Sequence, residues 1–321
     1  MSDAVVLLTR RMPAVAGETL EAAGLRVVML DSETPPPRAE VLAAVRGCAG
    51  VITMLSDRVD EAFLDAAGSA LRVVANYAVG FDNIDLEACR RRGVRVTNTP
   101  GVLTEATADL TWALILAAAR RVVAGDALVR GGKWAGWAPT LLRGLELRGA
   151  ALGILGAGRI GTAVARRAAG FGMRILYTNT RPNDVLEREL GARRVGLERL
   201  VREADVLTLH VPLRPENRHV IGAAELAAMK PSAILVNTAR GAVIDEAALV
   251  DALAVGRIAA AGLDVYEHEP RLAPGLAELP NVVLLPHLGS ATYETRDRMA
   301  HMAAENVLVV LRGGEPPNAV A

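Results

Sequence analysis

The sequence has 321 residues, 51% of them apolar, and its 36 Lys and Arg residues balance 36 Asp and Glu residues. This length is sufficient for two domains with sizeable cores, and the zero net charge gives no electrostatic basis for binding nucleic acid or an anionic membrane. The two cysteines, Cys48 and Cys89, belong to no CxxC or Cys/His cluster, so neither a disulfide scaffold nor a metal site is expected.

The N-terminal part of the chain alternates between short apolar runs and helical patterns. Its first run is too short for the core of a signal peptide and predicts a strand instead. The predicted strands are Val5–Leu8, Val27–Leu30, Gly50–Met54, Leu71–Asn76 and Val94–Asn98, and a helix is predicted over Asn83–Arg92. Such alternation is typical of a parallel sheet that is covered on both faces.

A long helical pattern follows over Thr104–Arg130. Its most apolar stretch, Trp112–Ala119, is shorter than the ~20 residues that span a membrane, so we expect a cytoplasmic protein that does not contact membranes. The Gly- and Trp-rich segment Gly131–Gly144 then interrupts the alternation. It is predicted to be a surface loop or an arm that reaches another chain.

The second half of the chain repeats the alternation of strands and helices. Its predicted strands are Ala150–Gly156, Arg174–Thr178, Val206–Val211, Ala233–Thr238, Ile258–Val265 and Asn281–Pro286. A final helix is predicted over Ala291–Leu311, and Gly313-Gly314 would end it. The whole pattern therefore predicts an α/β protein with two units.

A glycine-rich turn opens the second unit. Residues 156–161, with the sequence GAGRIG, fit G-x-G-x-x-G between an apolar strand and a helical pattern. In this motif Gly156 permits a tight turn, Gly158 lets the backbone approach a phosphate, and Gly161 lets the helix pack close to the strand. The helix N-terminus would receive the pyrophosphate of a dinucleotide. The alternative interpretation is an ordinary strand–helix turn.

The residues about twenty positions after the glycine turn indicate which dinucleotide is bound. An Asp or Glu is usual there and binds the adenosine ribose. This chain has Asn179, Thr180 and Arg181, and its first acid is Asp184. A carboxylate would repel a 2′-phosphate, whereas these three side chains could bind one, which favours NADPH over NADH. Alternatively, Arg181 is a solvated surface residue and the site uses NADH.

Three residues that could support hydride transfer follow three of the predicted strands: Arg240, Glu269 and His287. Ligands of open α/β sheets bind beyond the carboxyl ends of the strands. An arginine fork can bind a carboxylate, a histidine can donate a proton near neutral pH, and a carboxylate can stabilise the imidazolium. Glu267 competes with Glu269 for the last role. His210 is interpreted as a structural or cofactor-side histidine, and His219, His268 and His301 as exposed residues.

Five motifs spread over nearly the whole chain match one enzyme family. They are Asn76–Asp85, Gly153–Gly161, Ile234–Leu249, Ala261–Pro270 and Pro286–Thr292. With these motifs the chain resembles the D-isomer-specific 2-hydroxyacid dehydrogenases and, within them, the glyoxylate/hydroxypyruvate reductases. The motifs are highly specific for the family and less so for the substrate.

The resemblance implies a set of site residues. Arg240, Glu269 and His287 are the expected catalytic residues, and Glu269 is preferred to Glu267 because the family's acid directly precedes a proline. The expected substrate contacts are Leu55, the backbone of Val79 and Gly80, the side chains of Arg240 and His287, and Trp137 from a partner subunit. Asp264 is expected to hold the nicotinamide carboxamide. Further expected cofactor contacts are Thr107, Gly156, Gly158, Arg159, Ile160, Gly161, Asn179, Thr180, Arg181, His210, Pro212, Thr238, Ala239 and Gly289.

The resemblance also implies an architecture of two doubly wound parallel-sheet domains. Residues 1–98 and 288–321 are expected to form a flavodoxin-like substrate domain, and residues 99–287 an inserted Rossmann domain that binds the dinucleotide. A homodimer is expected, with Thr104–Arg130 and the following arm at its interface. An alternative keeps Trp134 and Trp137 packed on their own domain.

The expected activity is the reduction of small 2-keto acids, glyoxylate and hydroxypyruvate first, by NADPH, with NADH used more weakly. One alternative is an NAD-dependent D-3-phosphoglycerate or D-lactate dehydrogenase. A second is a dinucleotide-sensing corepressor on the same scaffold, against which the neutral charge counts. Ala78 stands where phosphite dehydrogenases present a lysine, which counts against that activity.

Overall fold

The computed structural model describes residues 4–320 and divides into two compact units. The terminal unit consists of the residues up to Leu103 together with those from Ser290 onward, and the central unit is Thr104–Gly289. Within the described residues, no helix is both long and apolar enough to cross a membrane.

The secondary structure alternates as the sequence predicts. The strands are β1 (Val5–Leu8), β2 (Arg26–Met29), β3 (Gly50–Thr53), β4 (Val73–Asn76), β5 (Arg95–Thr97), β6 (Ala151–Leu155), β7 (Arg174–Thr178), β8 (Arg193–Arg194), β9 (Val206–Leu209), β10 (Ile234–Asn237), β11 (Ala260–Leu263) and β12 (Val282–Leu284). The helices are α1 (Val15–Ala22), α2 (Arg38–Ala44), α3 (Glu61–Ala67), α4 (Leu86–Arg91), α5 (Thr104–Ala119), α6 (Val122–Arg130), α7 (Arg159–Gly170), α8 (Asp184–Leu190), α9 (Leu197–Glu203), α10 (Ala223–Ala228), α11 (Glu246–Ala254) and α12 (Tyr293–Leu311).

The terminal unit is built on a five-stranded parallel sheet in the order β2-β1-β3-β4-β5. This is the flavodoxin-like order, with the chain reversing its direction of travel between β1 and β3. Buried strands such as β3 and β4 are almost wholly apolar because both faces of the sheet are covered. Helix α12 begins after Thr292, whose side chain caps it, and packs against α1. Together these two helices cover one face of the sheet.

The central unit contains a seven-stranded parallel sheet in the order β12-β11-β10-β9-β6-β7-β8. The chain enters at β6, runs outward to β8, then crosses back to β9 and runs outward to β12. This is the Rossmann arrangement, in which the reversal lies between β6 and β9. The two parallel sheets confirm the predicted fold class.

The predicted helix Thr104–Arg130 is wrong in one respect, because the structure divides it into α5 and α6. Arg121 adopts a left-handed conformation with φ of 52°, which ends regular helical hydrogen bonding. The carbonyl of Ala119 instead accepts a hydrogen bond of 2.9 Å from the N–H of Leu145. Gly144 makes this contact possible, since a Cβ there would lie 1.9 Å from the same oxygen.

Candidate active site

The glycine turn lies between β6 and α7, at the carboxyl edge of the central sheet. Gly156 has φ of 96°, and a Cβ there would lie 2.7 Å from the His210 backbone. A Cβ at Gly161 would lie 2.2 Å from the carbonyl oxygen of Gly156. A Cβ at Gly158, by contrast, would meet nothing within 4 Å. The first and third glycines therefore shape the turn, while the second leaves open space beside the N-terminus of α7, where a pyrophosphate fits.

His210 lies behind this turn, after β9. Within residues 4–320, both of its ring nitrogens are shielded from solvent and have no hydrogen-bond partner. Burial lowers the pKa of His210 to about 3, so the ring is neutral. The residue as a whole is half-buried, and ring nitrogens that are shielded without a partner are costly. The hydrogen-bonded structural role has no support in these contacts, and the cofactor-side role stays a prediction.

The predicted phosphate-binding residues Asn179, Thr180 and Arg181 form the loop after β7. Thr180 and Arg181 are exposed. The loop is fixed to the glycine turn by Asn183, which the sequence analysis missed. Its side-chain amide donates 2.9 Å hydrogen bonds to the Ala157 carbonyl and to the Thr162 hydroxyl. Asn183 also caps α8, and that helix-start signal was readable in the sequence.

Other predicted cofactor residues surround the same edge of the sheet. Arg159 is exposed at the start of α7, Ile160 is half-buried behind it, and Pro212 is exposed after β9. Thr238 is buried after β10, where its hydroxyl lies 2.9 Å from that of Thr111.

Arg240 follows β10, with half-buried Ala239 before it. The local turn is organised by Asn237, which is fully buried. Its side chain accepts a 3.0 Å hydrogen bond from the Ala239 N–H and donates one of 2.9 Å to the Arg240 carbonyl. Gly241 comes next, and a Cβ there would lie 1.8 Å from the Tyr266 carbonyl carbon. Arg240 is thus held on a turn that packs directly on the segment leading to Glu269.

Glu269 and His287 follow the neighbouring strands β11 and β12 and contact each other. Glu269 Oε2 lies 3.0 Å from Nδ1 of His287, while Oε1 accepts a 3.1 Å hydrogen bond from the Tyr266 N–H. Burial alone would raise the pKa of Glu269, but the hydrogen bond from His287 and the nearby positive charges hold this pKa below its usual value. The carboxylate fixes the ring through Nδ1, so Nε2 is the nitrogen that can face a substrate.

Glu267, the competing acid, points to a different set of partners. Its Oε1 lies 2.8 Å from Nε2 of His219 and 2.5 Å from the guanidinium of Arg218. Its backbone N–H donates to the buried carboxylate of Glu246. Geometry therefore separates the two acids: Glu267 secures the loop, and Glu269 contacts His287.

Asp264 lies at the end of β11 and is almost completely buried. Its two oxygens accept hydrogen bonds of 2.6 and 2.8 Å from the N–H groups of Leu288 and Gly289. The carbonyl of Gly289 in turn accepts a 2.9 Å hydrogen bond from the Thr107 hydroxyl. Burial raises the pKa of Asp264, against the effect of these N–H donors. Asp264 therefore fixes the segment that follows His287.

The terminal unit orients the backbone of Val79 and Gly80. The carbonyl of Ala78 accepts a 2.9 Å hydrogen bond from the Thr99 N–H, and that of Val79 accepts one of 2.7 Å from the Asn98 side chain. Because a trans peptide points its N–H opposite its carbonyl, the N–H groups of Val79 and Gly80 face away from these donors. Two adjacent N–H groups with a common orientation can bind a carboxylate.

Leu55 lies in the tight turn after β3. The buried carboxylate of Asp57 fixes this turn, since its Oδ2 accepts 2.8 Å and 2.5 Å hydrogen bonds from the Met54 N–H and the Thr9 hydroxyl. The Arg10 guanidinium donates to the hydroxyl of Ser56 in the same turn. Sequence reasoning missed these supporting residues because their partners are distant in the chain.

The Gly- and Trp-rich arm leaves its aromatic side chains in solvent. Trp137 is 84% exposed and Trp134 55% exposed. The alternative in which both tryptophans pack on their own domain is therefore not what the structure shows. In the part of the chain that the structure describes, no cluster of three or more His, Cys, Asp or Glu side chains could hold a metal ion.

A Rossmann sheet with a glycine turn at its switch point, and a histidine–carboxylate pair at the ends of adjacent strands, is the arrangement of a dinucleotide-dependent dehydrogenase. The chain belongs to the D-isomer specific 2-hydroxyacid dehydrogenase family, whose NAD binding domain matches residues 112–289. The predicted family is thereby confirmed.

Individual relatives cover nearly the entire chain. The glyoxylate reductase of Thermococcus litoralis is 48% identical over 319 residues, or 98% of this chain and 96% of that protein. A solved protein from Thermus thermophilus is 51% identical, covers 99% of this chain and 100% of its own, and gives a TM-score of 0.93. An NADPH-dependent glyoxylate/hydroxypyruvate reductase of Sinorhizobium meliloti, solved with NADP and malonate, is 34% identical with a TM-score of 0.88, covering 99% of this chain and 97% of that one.

Proposed function

We propose that this protein reduces small 2-keto acids, glyoxylate and hydroxypyruvate first, to 2-hydroxy acids with NADPH. The observation that carries the proposal is the 3.0 Å contact between Glu269 and Nδ1 of His287. It leaves Nε2 free to donate a proton to the alkoxide that forms at the substrate C2. The names of the glyoxylate reductase of T. litoralis and the glyoxylate/hydroxypyruvate reductase of S. meliloti support the choice of substrates.

Each residue near the histidine has a separate task in this reaction. The dinucleotide, when bound, supplies the hydride. Glu269 stabilises the protonated ring of His287 and fixes its orientation. Arg240 orients the substrate carboxylate and polarises the carbonyl with its fork of donors. In the terminal unit, the N–H groups of Val79 and Gly80 and the side chain of Leu55 stay predictions as substrate contacts.

The dinucleotide is proposed to bind along the carboxyl edge of the central sheet. Gly158 and the start of α7, with Arg159 and Ile160, receive the pyrophosphate. His210 and Pro212 contact the adenosine side, while Thr107, Thr238, Ala239 and Gly289 contact the nicotinamide side. Asp264 accepts a hydrogen bond from the nicotinamide carboxamide and keeps those from the N–H groups of Leu288 and Gly289.

NADPH is proposed as the preferred cofactor because Asn179, Thr180 and Arg181 offer donors and no carboxylate. A charge-assisted hydrogen bond to a 2′-phosphate contributes roughly 1.5–3 kcal/mol, or about one to two orders of magnitude in specificity. Arg181→Ala is expected to reduce the preference and leave activity with NADH intact. Asn179→Asp is expected to reverse it, because the carboxylate repels the phosphate and accepts the free ribose hydroxyls.

A homodimer is proposed to form through α6 and the arm. Helix α6 has no buried residue, and Val122, Val123 and Val129 on it are exposed. A cavity of about 770 Å³ lies beside it, lined by residues of α5, α6 and β12 and by the two ends of the arm. Exposed apolar side chains beside a mainly apolar cavity are typical of an interface between subunits. Trp137, exposed on the arm, is proposed to reach the partner's active site.

Initial rates of cofactor oxidation with a panel of keto acids test the proposal. We expect turnover of glyoxylate and hydroxypyruvate, with kcat/KM higher for NADPH than for NADH. Equal values, or a preference for NADH, would instead favour an NAD-dependent D-lactate or D-3-phosphoglycerate dehydrogenase. Dinucleotide binding without turnover of any keto acid would favour the corepressor.

A further inference from the structure

Strand β8 carries an arginine that contacts the loop proposed to bind the 2′-phosphate. Arg194 donates hydrogen bonds from Nε and Nη2, at 3.2 and 3.0 Å, to the carbonyl of Asn179. Nη2 also donates, at 3.0 Å, to the carbonyl of Thr180. One guanidinium therefore holds two successive carbonyl groups of this loop.

These hydrogen bonds determine where the loop's backbone N–H groups point. Since a trans peptide points its N–H opposite its carbonyl, the N–H groups of Thr180 and Arg181 face away from Arg194. In the described residues, neither N–H has a hydrogen-bond acceptor. Asn179 adds a hydrogen bond of 3.1 Å from its side-chain amide to the Arg181 carbonyl, so three consecutive carbonyls are occupied from within the chain.

The arrangement also affects the electrostatics of an anion on this loop. Carbonyl oxygens carry partial negative charge and would repel a phosphate, whereas N–H groups attract it. Pairing both carbonyls with a cation turns the negative ends of these peptides away from the ligand. Arg194 thus acts on the far side of the loop, through the backbone.

We infer that Arg194 is a positioning residue for cofactor specificity, which presents the Thr180 and Arg181 N–H groups to the 2′-phosphate of the dinucleotide. This rests on the proposed NADPH preference and adds a residue that does not itself touch the ligand. Its fork is what matters, because a lysine could not hold both carbonyls in this geometry.

The test compares binding of adenosine 2′,5′-bisphosphate and adenosine 5′-monophosphate, which differ only in the 2′-phosphate, by titration calorimetry. Four full-length proteins are used: wild type, Arg194→Met, Arg194→Lys and Arg193→Met. Arg193 is the matched control, because it is the adjacent exposed cation on β8, points to the opposite face of the strand and has Glu203 as a neighbour. Thermal unfolding of each variant reports on its folding.

We expect Arg194→Met and Arg194→Lys to bind the bisphosphate about 3–10-fold more weakly, as for loss of one or two hydrogen bonds, with binding of the monophosphate unchanged. Arg193→Met should match wild type, and turnover with NADH should be retained in all variants. If Arg194→Met discriminates between the two ligands as well as wild type does, the inference about Arg194 is overturned and the NADPH preference still stands. Equal losses of bisphosphate affinity in Arg194→Met and Arg193→Met would also overturn it, as would wild-type affinity in Arg194→Lys. In either case positive charge alone would explain binding. A wild type that does not discriminate between the two ligands would reject the NADPH preference and the inference with it.

Discussion

At the scale of single residues, His287 is held in a conformation that its own backbone does not favour. Its φ is 56°, in the left-handed region that costs a residue with a side chain about 1 kcal/mol or more. Its N–H donates a 2.9 Å hydrogen bond to the Asp264 carbonyl, and Glu269 fixes the ring. Two residues that follow β11, Asp264 and Glu269, thus maintain a strained position that aims the imidazole, as expected of a residue selected for its chemistry.

Replacing His287 by alanine should therefore remove catalysis without removing the cofactor site. We expect kcat for glyoxylate reduction to fall by about two to four orders of magnitude, the usual contribution of a positioned general acid. The dissociation constant for NADPH should change little, as measured by fluorescence titration. His268→Ala, an exposed histidine of the preceding loop, is the control and should keep wild-type kinetics. Turnover of His287→Ala within tenfold of wild type would remove this residue from the mechanism.

Sequence reasoning reached the reactive side chains more easily than the residues that support them. Arg240, Glu269 and His287 each follow an apolar run, so strand prediction alone placed them at one edge of a sheet. The amide of Asn98 binds the Val79 carbonyl 19 residues away, and only the folded backbone brings them together. Asn237 differs, because its hydrogen bonds to residues two and three positions ahead follow the local pattern of an Asx turn.

At the scale of secondary-structure elements, the glycine turn offers a paired test of fold and function. We expect Gly156→Ala to destabilise the protein, since its φ is 96° and its Cβ would collide with the backbone of His210. Gly158→Ala should unfold at nearly the wild-type temperature, because its Cβ enters open space. That space is where the pyrophosphate is expected, so Gly158→Ala should bind NADPH at least tenfold more weakly. Thermal unfolding and cofactor titration of both variants separate the two effects, and tight NADPH binding by Gly158→Ala would contradict this position for the pyrophosphate.

A second element-scale prediction concerns the opposite edge of the central sheet. Asp205, which precedes β9, accepts a 2.8 Å hydrogen bond from the Ala151 N–H at the start of β6 and one of 2.7 Å from Lys230. Burial alone would raise the pKa of Asp205, but these two donors hold this pKa below its usual value of 3.8. The carboxylate therefore stabilises the folded state above that value, and the stabilisation is lost as the pH falls through the lower folded pKa.

We expect Asp205→Asn to reduce the free energy of unfolding by about 1–3 kcal/mol at pH 7, the contribution of a hydrogen-bonded charged group. The difference from wild type should shrink as the pH falls below the usual value of 3.8 and through the lowered folded pKa of Asp205, because the wild-type carboxyl group is then protonated. Urea unfolding at several pH values measures this difference in the free energy of unfolding. Asp251→Asn, at an exposed position on α11, is the control and should have the wild-type free energy of unfolding at every pH. An Asp205→Asn difference that stayed constant with pH would argue against a role for the charge of Asp205.

Elements without an apolar run or a local signal escaped prediction. Strand β8 consists only of Arg193 and Arg194, so no hydrophobic pattern marks it. The division between α5 and α6 was missed for a related reason. Arg120 and Arg121 lie at the break, and arginine is compatible with a continuous helix. The carbonyl of Ala119 is taken by Leu145, a partner 26 residues further on, and this competition is visible only in the fold.

At the scale of the whole molecule, the arm is the segment whose composition disagrees most with its surroundings. The indole of Trp137 is 84% exposed on a segment that forms neither helix nor strand. Such exposure does not stabilise an isolated chain. Its position next to α6, which buries none of its own residues, is consistent with an element that is covered on assembly. If Trp137 completes the partner's site in a homodimer, each active centre contains residues of both chains.

Complementation between two impaired variants tests this directly. Trp137→Ala is expected to lower kcat/KM for glyoxylate by about 10–100-fold, the cost of losing a buried aromatic contact, with the NADPH dissociation constant unchanged. Mixed dimers of Trp137→Ala with His287→Ala would contain one complete site, formed by His287 of the first chain and Trp137 of the second. Co-refolding equal amounts should therefore restore about a quarter of wild-type activity, since half of the dimers are mixed and each has one working site. Sedimentation velocity must show dimers in every sample. The control is a blend of the two variants that were refolded separately, so that it contains no mixed dimers. Activity no higher than in that blend would mean that Trp137 acts within its own chain.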